Sequence, residues 1–517
     1  MYRPAQFVWP TTDTVHFRVV GPIQSRIMPT SNGGGLLYDR VANHVAALIE
    51  TGALRGGQRA PSVRRLSAQM KVSTATVVLG YSYLEARGLL EARPQSGHYV
   101  KTPPRAVLAE PRAATAASGA ARVKLGDRVS GLYRSMRDPS IVPLGAACLS
   151  ADLLPLKRLN QSAVQVARTS AGAGALYDPL AGNATLRTHI ARRAVGQGVS
   201  VQRDDVIVTS GAIEAIQLCL RAVAKPGDAV VVERPTYFGG LRLLEEIGLR
   251  AVEVPTHPTT GMDLQALEAA LVRHKAKACL AVPNFSNPLG TLMSDGAKAS
   301  LVEIMSRRRV PLIESDVYGD LCHDDNRPRP AKAFDRDGWV MSCSSFSKAL
   351  APGYRVGWAI AGRFYERVDE LKFTYTGASP PLPQMTIADF LDSGGYDRHL
   401  RLLRRRIAAQ VNAGRDAIAR HFPAGTRVCR PSGGFLLWVE LPRGCVSAVE
   451  LQRRALARGI SIAPGPIFAA REGFNNCFRL SCGYPWSEIL DRAIATLGSM
   501  ARGDAASGGR ASSRARA

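Results

Sequence analysis

Hydrophobic residues in the first hundred positions recur at helical spacing in three short segments, each of which places them on one face of an α-helix. The apolar positions are, in chain order, Val41, Val45, Leu48 and Ile49, then Leu66 and Met70, then Val77, Tyr81 and Leu84. Ser62 and Ser73 stand at the N-cap positions of the second and third segments. Gly52 and Gly88 follow the first and third segments as left-handed stop signals. The pattern therefore predicts three short helices.

Residues 89–100 follow these helices and are interrupted by Pro94 and Gly97, which predicts a two-stranded hairpin. Three helices followed by a hairpin are the order of elements in a winged helix-turn-helix domain, which we assign to residues 36–101. In such a domain the third helix can enter the major groove of DNA while basic residues of the wing contact phosphate.

Strand-like apolar runs alternate with helical patterns in the rest of the chain, as in "DVIVTS", "AVVVERP", "KACLAVPN" and "VPLIES". Continuous Val/Ile/Leu runs between helices are typical of a parallel sheet that is covered on both faces. We assign this α/β domain to residues 141–501. The remaining segments are predicted to be a flexible extension (1–35), a linker rich in Ala, Pro, Arg and Ser (102–140) and a disordered basic tail (502–517).

Charge and cysteine usage narrow the functional classes. The 517 residues carry a formal net charge of +25, and residues 1–140 hold 19 lysines and arginines against eight acidic residues, so the front of the chain is the better candidate for a polyanion partner. The nine cysteines are scattered without zinc-ligand spacing, which favours reduced thiols and no metal site. No run is long and apolar enough for a membrane span. We expect a soluble cytoplasmic protein.

The stretch from Gly57 to Val100 resembles the GntR family of bacterial regulators. The matching landmarks are Pro61-Ser62-Val63-Arg64, Leu66, Val72-Ser73, Thr76-Val77, the stretch from Leu84 to Leu90, and Gly97 before Tyr99-Val100. The resemblance implies double-stranded promoter DNA as a partner, in a bacterial cell where the DNA-bound protein is associated with the nucleoid, and contacts from Arg64, Ser73, Thr74 and Thr76. Arg65, Lys71 and Arg93 are further candidates for phosphate contacts. Thr74 and Val78 depart from the family, which often has arginine at both positions. For Arg65 a solvated role is an equal alternative, and Ser73 can serve as a helix cap alone.

The stretch "SSFSKALAPGYRVGW" sets one lysine, Lys348, among small hydroxyl side chains. Ser345, Ser347 and Arg355 can together bind three phosphate oxygens. In "VIVTSGAIEAIQLCL", Gly211 and Ala212 open a helix whose free amides also suit phosphate. These residues predict a phosphate cup beside a reactive amine, which is what pyridoxal 5'-phosphate (PLP) requires.

Two further requirements of PLP are an acid opposite the pyridine nitrogen and a flat group against the ring. Asp316 and Tyr318 follow an apolar strand, at the end where α/β sheets place ligands. Asp316 can pair with the pyridinium, while Tyr318 and Asn287 can hydrogen-bond the phenolic oxygen of the ring. Tyr237 can stack on the ring. Each motif alone is weak, since an Asp after a strand is often a helix cap and Tyr237 can equally be a core residue.

Taken in order, Gly211, Tyr237, Asn287, Asp316 and Lys348 resemble the fold-type I aminotransferases. This resemblance implies an α/β fold with a mainly parallel sheet and a smaller C-terminal α+β subdomain. Joined to a GntR-like domain, it is similar to the MocR/GabR group of chimeric regulators. The resemblance names Lys348 as the Schiff-base lysine, Arg479 as the clamp for an amino-acid carboxylate and Tyr177 as a residue that reaches the phosphate of a partner subunit in a homodimer. A structural ion pair is the alternative for Arg479.

The leading hypothesis is therefore a PLP-dependent transcriptional regulator that senses an amino acid, an amine or PLP itself. An active aminotransferase with a DNA-binding attachment is the alternative, because every residue needed for transamination is present. A third interpretation, in which the second domain is only a dimerisation scaffold, leaves Lys348 and Asp316 without a role. The sequence does not choose the effector, the operator or the sign of regulation.

Overall fold

In the computed structural model the chain divides after residue 105 into two units. The described residues are 37–50, 54, 57–93, 96–101, 108–115, 119–126, 129, 138–170 and 172–502. The predicted extension and all but the first residue of the predicted tail lie outside them, as do Gly52 and Pro94. Among the described helices, none is both long and apolar enough to cross a membrane.

Three helices and a hairpin form the first unit, in the order that the apolar spacing predicts. They are α1 (Leu37–Glu50), α2 (Val63–Met70), α3 (Thr74–Ala86), β1 (Leu90–Arg93) and β2 (Gly97–Val100). Ser62 and Ser73 cap α2 and α3 by accepting from main-chain N–H groups three residues ahead, at 3.3 and 3.1 Å. Helix α3 crosses α1 closely at Gly80, where a Cβ would lie 2.9 Å from a methyl of Val41. The completely buried core residues include Val41, Val45, Leu66, Val77, Tyr81 and Leu84.

A nine-stranded sheet forms the centre of the second unit. Its strands are β3 (Ala121–Arg122), β4 (Val206–Thr209), β5 (Ala229–Arg234), β6 (Arg250–His257), β7 (Gly261–Met262), β8 (Ala278–Ala281), β9 (Leu312–Ser315), β10 (Val340–Ser345) and β11 (Gly357–Ile360). Their order in the sheet is β3-β6-β5-β8-β9-β10-β11-β4, and β7 pairs with β6. Strands β5, β6, β8, β9 and β10 are parallel, whereas β3, β7 and β11 run antiparallel to their neighbours.

Helices cover this sheet, so that every residue of β4, β5, β8, β9 and β10 is buried. This explains the continuous apolar runs, because a strand covered on both faces has no solvent side. The loops that follow β8, β9 and β10 leave the sheet at one edge, where ligands of α/β proteins bind. The helices are α4 (Leu156–Thr169), α5 (Ala184–Val195), α6 (Ala212–Val223), α7 (Phe238–Ile247), α8 (Leu264–His274), α9 (Asp295–Arg308), α10 (Tyr365–Tyr375) and α11 (Pro381–Asp392).

A smaller antiparallel sheet follows in the C-terminal part of the second unit. Its strands are β12 (Arg427–Val428), β13 (Leu436–Glu440), β14 (Ala463–Pro464) and β15 (Cys477–Ser481), and its helices are α12 (Gly395–His421), α13 (Ala448–Leu456) and α14 (Glu488–Ala501). The strand order is β12-β13-β15-β14. Strand β15 carries Arg479 in its centre, and Arg479 is buried. The predicted α+β subdomain is thus present.

Part of the segment 102–140 lies on the second unit. Strand β3 pairs with the edge of the large sheet, and Leu125 is buried against that unit. The main-chain N–H of Arg112 donates to the Glu440 carboxylate at 2.8 Å, and that of Val428 donates to the Ala109 carbonyl at 2.9 Å. Main-chain hydrogen bonds hold this part of the chain in place, although its composition predicts a linker.

Candidate functional site

Lys348 lies in a single 3₁₀ turn, Phe346–Lys348, that directly follows β10. The hydroxyl of Ser345 caps this turn by accepting from the N–H of Ser347 at 3.4 Å. The Lys348 side chain is half-buried, and its Nζ donates to the carbonyl of Ala147 at 2.7 Å. Nζ also lies 6.0 Å from the centre of the Tyr318 ring. The turn therefore holds the amine at the edge of the sheet where the parallel strands end.

The residues predicted to bind a phosphate lie beside this turn. Arg355, which has a left-handed backbone with φ of 53°, donates to the Ser347 hydroxyl at 3.3 Å and to the Ser210 carbonyl at 3.0 Å. Gly211, with φ of 96°, precedes Ala212, the first residue of α6. A Cβ on Gly211 would lie 2.4 Å from Nη2 of Arg355, so only glycine allows this approach.

One main-chain N–H beside these residues already has a partner within the protein. The carboxylate of Glu214, on the first turn of α6, accepts from the main-chain N–H of Ser210. That N–H is therefore already hydrogen-bonded within the protein. The guanidinium of Arg355 contacts both the Ser210 carbonyl, just before α6, and the hydroxyl of Ser347, whose N–H donates to Ser345. Positive charge, hydroxyl groups and a helix N-terminus at one point fit a phosphate dianion.

Asp316 lies directly after β9 and is almost fully buried. Its Oδ1 accepts from the side-chain amide of Asn284 at 2.9 Å, and its Oδ2 accepts from Arg327 at 2.6 Å. The hydroxyl of Ser344, on the adjacent β10, donates to the Asp316 carbonyl at 2.8 Å. Two side chains from different segments thus fix the position of this carboxylate, and Ser344 holds the main chain of the same residue.

Arg327 is a site residue that the sequence analysis missed. Besides Asp316 it binds Asp320 at 2.6 Å; burial lowers the pKa of Arg327, but these two carboxylates outweigh it and raise that pKa above the ordinary value. Burial opposes ionisation of Asp320, but Arg327 and Arg193 outweigh it and lower the pKa of Asp320 to about 2. No motif surrounds Arg327 in "DDNRPRP", so the sequence offers no signal for this buried ion pair.

Asn287, Tyr318 and Arg479 form a chain of hydrogen bonds in the interior. The side-chain amide of Asn287 donates to the Tyr318 hydroxyl at 3.3 Å, and Arg479 Nη1 donates to Oδ1 of Asn287 at 2.9 Å. Burial raises the pKa of Tyr318 to about 12, so its hydroxyl keeps its proton at neutral pH. The structure therefore brings together three residues that are far apart in the sequence.

Arg479 is a buried charge without a carboxylate partner in the part of the chain that the structure describes. Its exposure is 1%, and its second amino group donates to the Gly145 carbonyl at 2.6 Å. Nε is buried and finds no acceptor among the described residues. The rings of Phe468 and Phe238 lie 5.1 and 5.8 Å away, and burial lowers the pKa of the guanidinium. The predicted alternative, a structural ion pair, is absent from the described residues.

The two remaining tyrosines of the prediction lie in different surroundings. Tyr237 precedes α7, is half-buried and lies across Gly239, where a Cβ would be 2.4 Å from the ring. Tyr237 is also close enough to Arg479 to oppose the lowering of its pKa by burial. Tyr177 is 97% exposed, so a single chain leaves almost the whole surface of this side chain in contact with solvent.

The loop 145–148 supplies further groups that the sequence analysis did not find. Gly145 and Ala147 accept from Arg479 and Lys348 through their carbonyls. The half-buried thiol of Cys148 adds to the rise in the pKa of Tyr318 that burial causes. Main-chain carbonyls carry no residue-specific signal, so a sequence pattern cannot identify them.

The predicted DNA contacts lie in the first unit. Arg64 and Arg65 are exposed on α2, and no carboxylate of the described residues lies within 4 Å of either. Thr74 is exposed at the start of α3, whereas the hydroxyl of Thr76 is paired with that of Ser73 at 2.8 Å.

On the hairpin, Arg93 pairs with Glu91 at 2.7 Å and lies over the Tyr99 ring at 4.4 Å. Part of its charge is therefore already compensated. Together with the capping role of Ser73, this leaves Arg64, Arg65 and Thr74 as the predicted contacts with the freest polar groups.

An α/β sheet with a lysine, a buried acid and an arginine beside hydroxyl groups at its strand ends has the arrangement of an aminotransferase-type domain, and three helices with a wing have that of a helix-turn-helix domain. Residues 144–497 match the family of class I and II aminotransferases, and residues 37–100 match the gntR family of bacterial regulatory proteins. The chain belongs to the GntR-family regulators in which a helix-turn-helix domain is fused to a class I/II aminotransferase domain, as in MocR-like proteins.

Known relatives cover both units or the second alone. The uncharacterized HTH-type transcriptional regulator YdcR of Escherichia coli (strain K12) is 38% identical, over 90% of this chain and 98% of its own. The 2-aminoadipate transaminase of Thermus thermophilus is 30% identical, over 74% of this chain and 96% of its own. The crystal structure of LysN, the α-aminoadipate aminotransferase of Thermus thermophilus, superimposes with a TM-score of 0.66 at 28% identity and covers 74% of this chain and 99% of its own.

The family places DNA and a small molecule among the partners of this chain, because it joins a DNA-binding domain to an aminotransferase domain. Class I and II aminotransferase domains are typically PLP-dependent. The protein is therefore a GntR-family transcriptional regulator with an aminotransferase-like domain.

Proposed function

We propose that the second unit binds PLP as a Schiff base at Lys348 and senses an amino acid, an amine or PLP itself, and that this binding controls the affinity of the first unit for promoter DNA. The observation that carries the proposal is the uncompensated, buried guanidinium of Arg479, which Asn287 links by hydrogen bonds to Tyr318, whose ring centre lies 6.0 Å from Lys348 Nζ. A buried charge without a counterion fits an anionic ligand.

PLP, when bound, supplies an aldehyde that condenses with amines and a ring that takes up electrons. In this proposal Ser345, Ser347 and Arg355 bind its phosphate, with the amides at Gly211 and Ala212 at the start of α6. Lys348 Nζ, which donates to the Ala147 carbonyl, would be the amine that condenses with this aldehyde, with release of water. Each of these groups is already placed by a turn or a cap, so little ordering is required on binding.

Asp316 would pair with the ring nitrogen, and the contacts of its carboxylate with Asn284 and Arg327 hold that carboxylate in position. Tyr318 and Asn287 bind the phenolic oxygen, and Tyr237 lies against the ring. An effector with a carboxylate then pairs with Arg479 in a bidentate geometry and displaces its contact with the Gly145 carbonyl.

The decisive experiment measures PLP attachment on the purified full-length protein. We expect an absorbance band near that of a PLP–lysine adduct, and after borohydride reduction a mass increase on the peptide that contains Lys348. Lys277→Ala, which removes an exposed lysine, is the matched control and keeps the adduct, whereas Lys348→Ala loses it. An adduct of unchanged stoichiometry in Lys348→Ala would refute the assignment.

Coupling between ligand and DNA is measured with the same protein. Effector binding is expected to change the affinity for promoter DNA, and the DNA is expected to change the effector affinity by the same factor. If the two affinities are independent, effector binding to the second unit does not control DNA binding.

An active aminotransferase is the second candidate, since the lysine, the acid and the carboxylate-binding arginine of a transaminase lie together. Repeated conversion of a 2-oxo acid, at many turnovers per protein chain, would favour this candidate. A single stoichiometric spectral change without turnover would favour the regulator.

We further propose a homodimer in which Tyr177 reaches the phosphate cup of the partner subunit. Exposed apolar side chains accompany Tyr177 on α4, on the turn before Tyr177 and on α11, where Leu382 meets the turn. Leu176→Glu, which charges a side chain with 70% exposure, is expected to shift the protein to monomers in analytical ultracentrifugation. Val449→Glu, with 52% exposure on α13, is the control and stays dimeric. A monomeric wild type that carries PLP contradicts the proposal.

A further inference from the structure

The outer face of α3 is composed of uncharged residues alone. Every residue of α3 that is exposed lacks a charge, and the acidic residue of the helix, Glu85, is half-buried and faces His98 of the hairpin at 3.6 Å. The exposed residues are Thr74, Ala75, Val78, Leu79, Ser82, Tyr83 and Ala86. Val78 and Leu79 are large and apolar, with exposures of 46% and 53%.

This composition is unusual for the helix that enters the major groove, because base pairs are often read there by arginine, asparagine or glutamine. Apolar side chains that are exposed on a helix gain free energy when a partner covers them. Tyr83 has one within the unit, since its ring lies 6.1 Å from that of Tyr38. Val78 lies one helical turn after Thr74, on the N-terminal half of α3 that reaches base edges in helix-turn-helix domains.

Cations flank this neutral face. Arg64 and Arg65 are exposed on α2, and Lys71 is exposed in the turn between α2 and α3. Arg93 is exposed on the hairpin. Such a distribution fits duplex DNA, in which charged phosphates border a groove floor that presents both polar edges and the apolar C5 methyl group of thymine.

We propose that Val78, with Thr74 beside it, reads thymine by contact with its C5 methyl group. The phosphate contacts of the surrounding cations then set the affinity, and methyl contacts at α3 set the base preference. The operator of this protein accordingly contains thymine at the position that Val78 faces in each half-site. The inference requires only the DNA-binding domain and holds whether or not the second unit binds PLP.

The test uses the full-length protein and duplexes selected by it from a random pool. Each enriched thymine is then replaced singly with uracil, which removes the C5 methyl group and keeps the base pair. We expect one position per half-site at which uracil weakens binding about fourfold, since one buried methyl or methylene group contributes about 0.8 kcal/mol. Val78→Ala is expected to weaken binding of the thymine duplex by a similar factor and to be insensitive to uracil at that position.

Three further variants make the result decisive. Val272→Ala makes the same truncation at a valine with 56% exposure on α8 of the second unit, and should keep the full response to uracil. Val78→Thr keeps one methyl group and should keep part of the response. Val78→Arg should exchange the preference for thymine for guanine in a new selection, because arginine pairs with the O6 and N7 atoms of guanine.

The proposal is overturned if no enriched thymine responds to uracil in the wild type, or if Val78→Ala responds as the wild type does. It is also overturned if Val78→Ala leaves DNA binding unchanged and instead alters the oligomeric state, which would make this face a contact between protein chains. Circular dichroism verifies that each variant is folded. We expect the Val78 variants to fold, because this side chain is exposed.

Discussion

The arginines predicted to contact DNA and those buried at the candidate ligand site are placed in opposite environments. In the first unit Arg64 and Arg65 stand in solvent on α2, beside a neutral helix face. In the second unit Arg479 is buried between aromatic rings, and Arg327 is buried between two carboxylates. Arginine side chains therefore occur in three environments: exposed to solvent, buried with carboxylate partners, and buried without a counterion among the described residues.

The difference follows from dielectric screening. An exposed arginine contributes little binding free energy through any single contact. Many such contacts add up along a polyanion, and the resulting affinity depends on salt concentration. A buried arginine interacts far more strongly. Where it has a carboxylate partner, its removal leaves that carboxylate buried and uncompensated, and where it lacks one it favours the binding of an anionic ligand. Exposed arginines thus suit DNA, and Arg479 suits a single small anion.

The largest expected effect is on Arg327→Met. Breaking a buried pair leaves Asp316 and Asp320 poorly compensated and should lower the free energy of unfolding by about 3–5 kcal/mol. Arg367→Met removes an exposed pair with Glu370 in the same unit and should cost less than about 1 kcal/mol. Urea unfolding of both variants measures the contrast, and equal losses would contradict it.

Arg479→Gln should weaken binding of an amino-acid effector at least about 30-fold, in line with the roughly 2–5 kcal/mol lost when a buried charged partner is removed. Without ligand its stability should be unchanged or higher, because the arginine has no carboxylate partner among the described residues. Absorbance titration with the amino acid, and with the amine that lacks its carboxylate, separates the two effects. Equal weakening for both ligands would argue against carboxylate binding.

Glu233 tests the reverse case, a buried acid that forms no ion pair with the described residues. Burial raises its pKa to about 7, from an ordinary value of 4.5, although the Val282 N–H donates to it at 2.9 Å. Between pH 4.5 and 7 the unfolded chain loses the proton and the folded chain keeps it, so stability falls as pH rises through this window. Glu233→Gln should remove this fall and be more stable at about pH 8, by on the order of 1–3 kcal/mol. Urea unfolding at about pH 5 and about pH 8 tests this, and parallel pH profiles would contradict it.

Arg64→Ala is expected to have the smallest effect. Loss of one phosphate contact should weaken DNA binding and reduce the slope of log K against log salt by about 0.9. Arg273→Ala, an exposed arginine on α8, should leave the slope unchanged. Fluorescence anisotropy at several salt concentrations measures both, and an unaltered slope for Arg64→Ala would place this arginine away from the phosphates.

The sequence predicts the fold well where a local pattern has a local cause. Ser62 and Ser73 act as caps because capping needs only the next three residues, and the parallel strands follow from apolar runs that must be covered on both faces. It also predicts which groups meet at the strand ends. Lys348 and Asp316 each follow a strand of the parallel sheet, and neighbouring parallel strands end at one edge.

Other features have no local cause. Arg327 reaches Asp316 only through the folding of its loop, and the carbonyls of Gly145 and Ala147 meet Arg479 and Lys348 across 334 and 201 residues of sequence. The packing of residues 121–125 on the large sheet depends on main-chain hydrogen bonds, which composition does not encode.

The sequence by itself determined the two domains, the order of their elements and the identity of the candidate lysine, acid and arginines, because spacing and residue type carry that information. Only the tertiary structure decided which arginine is paired, which is exposed and which is buried without a counterion among the described residues. Those properties depend on distances between distant segments and on exclusion of water, and both arise only when the chain is packed.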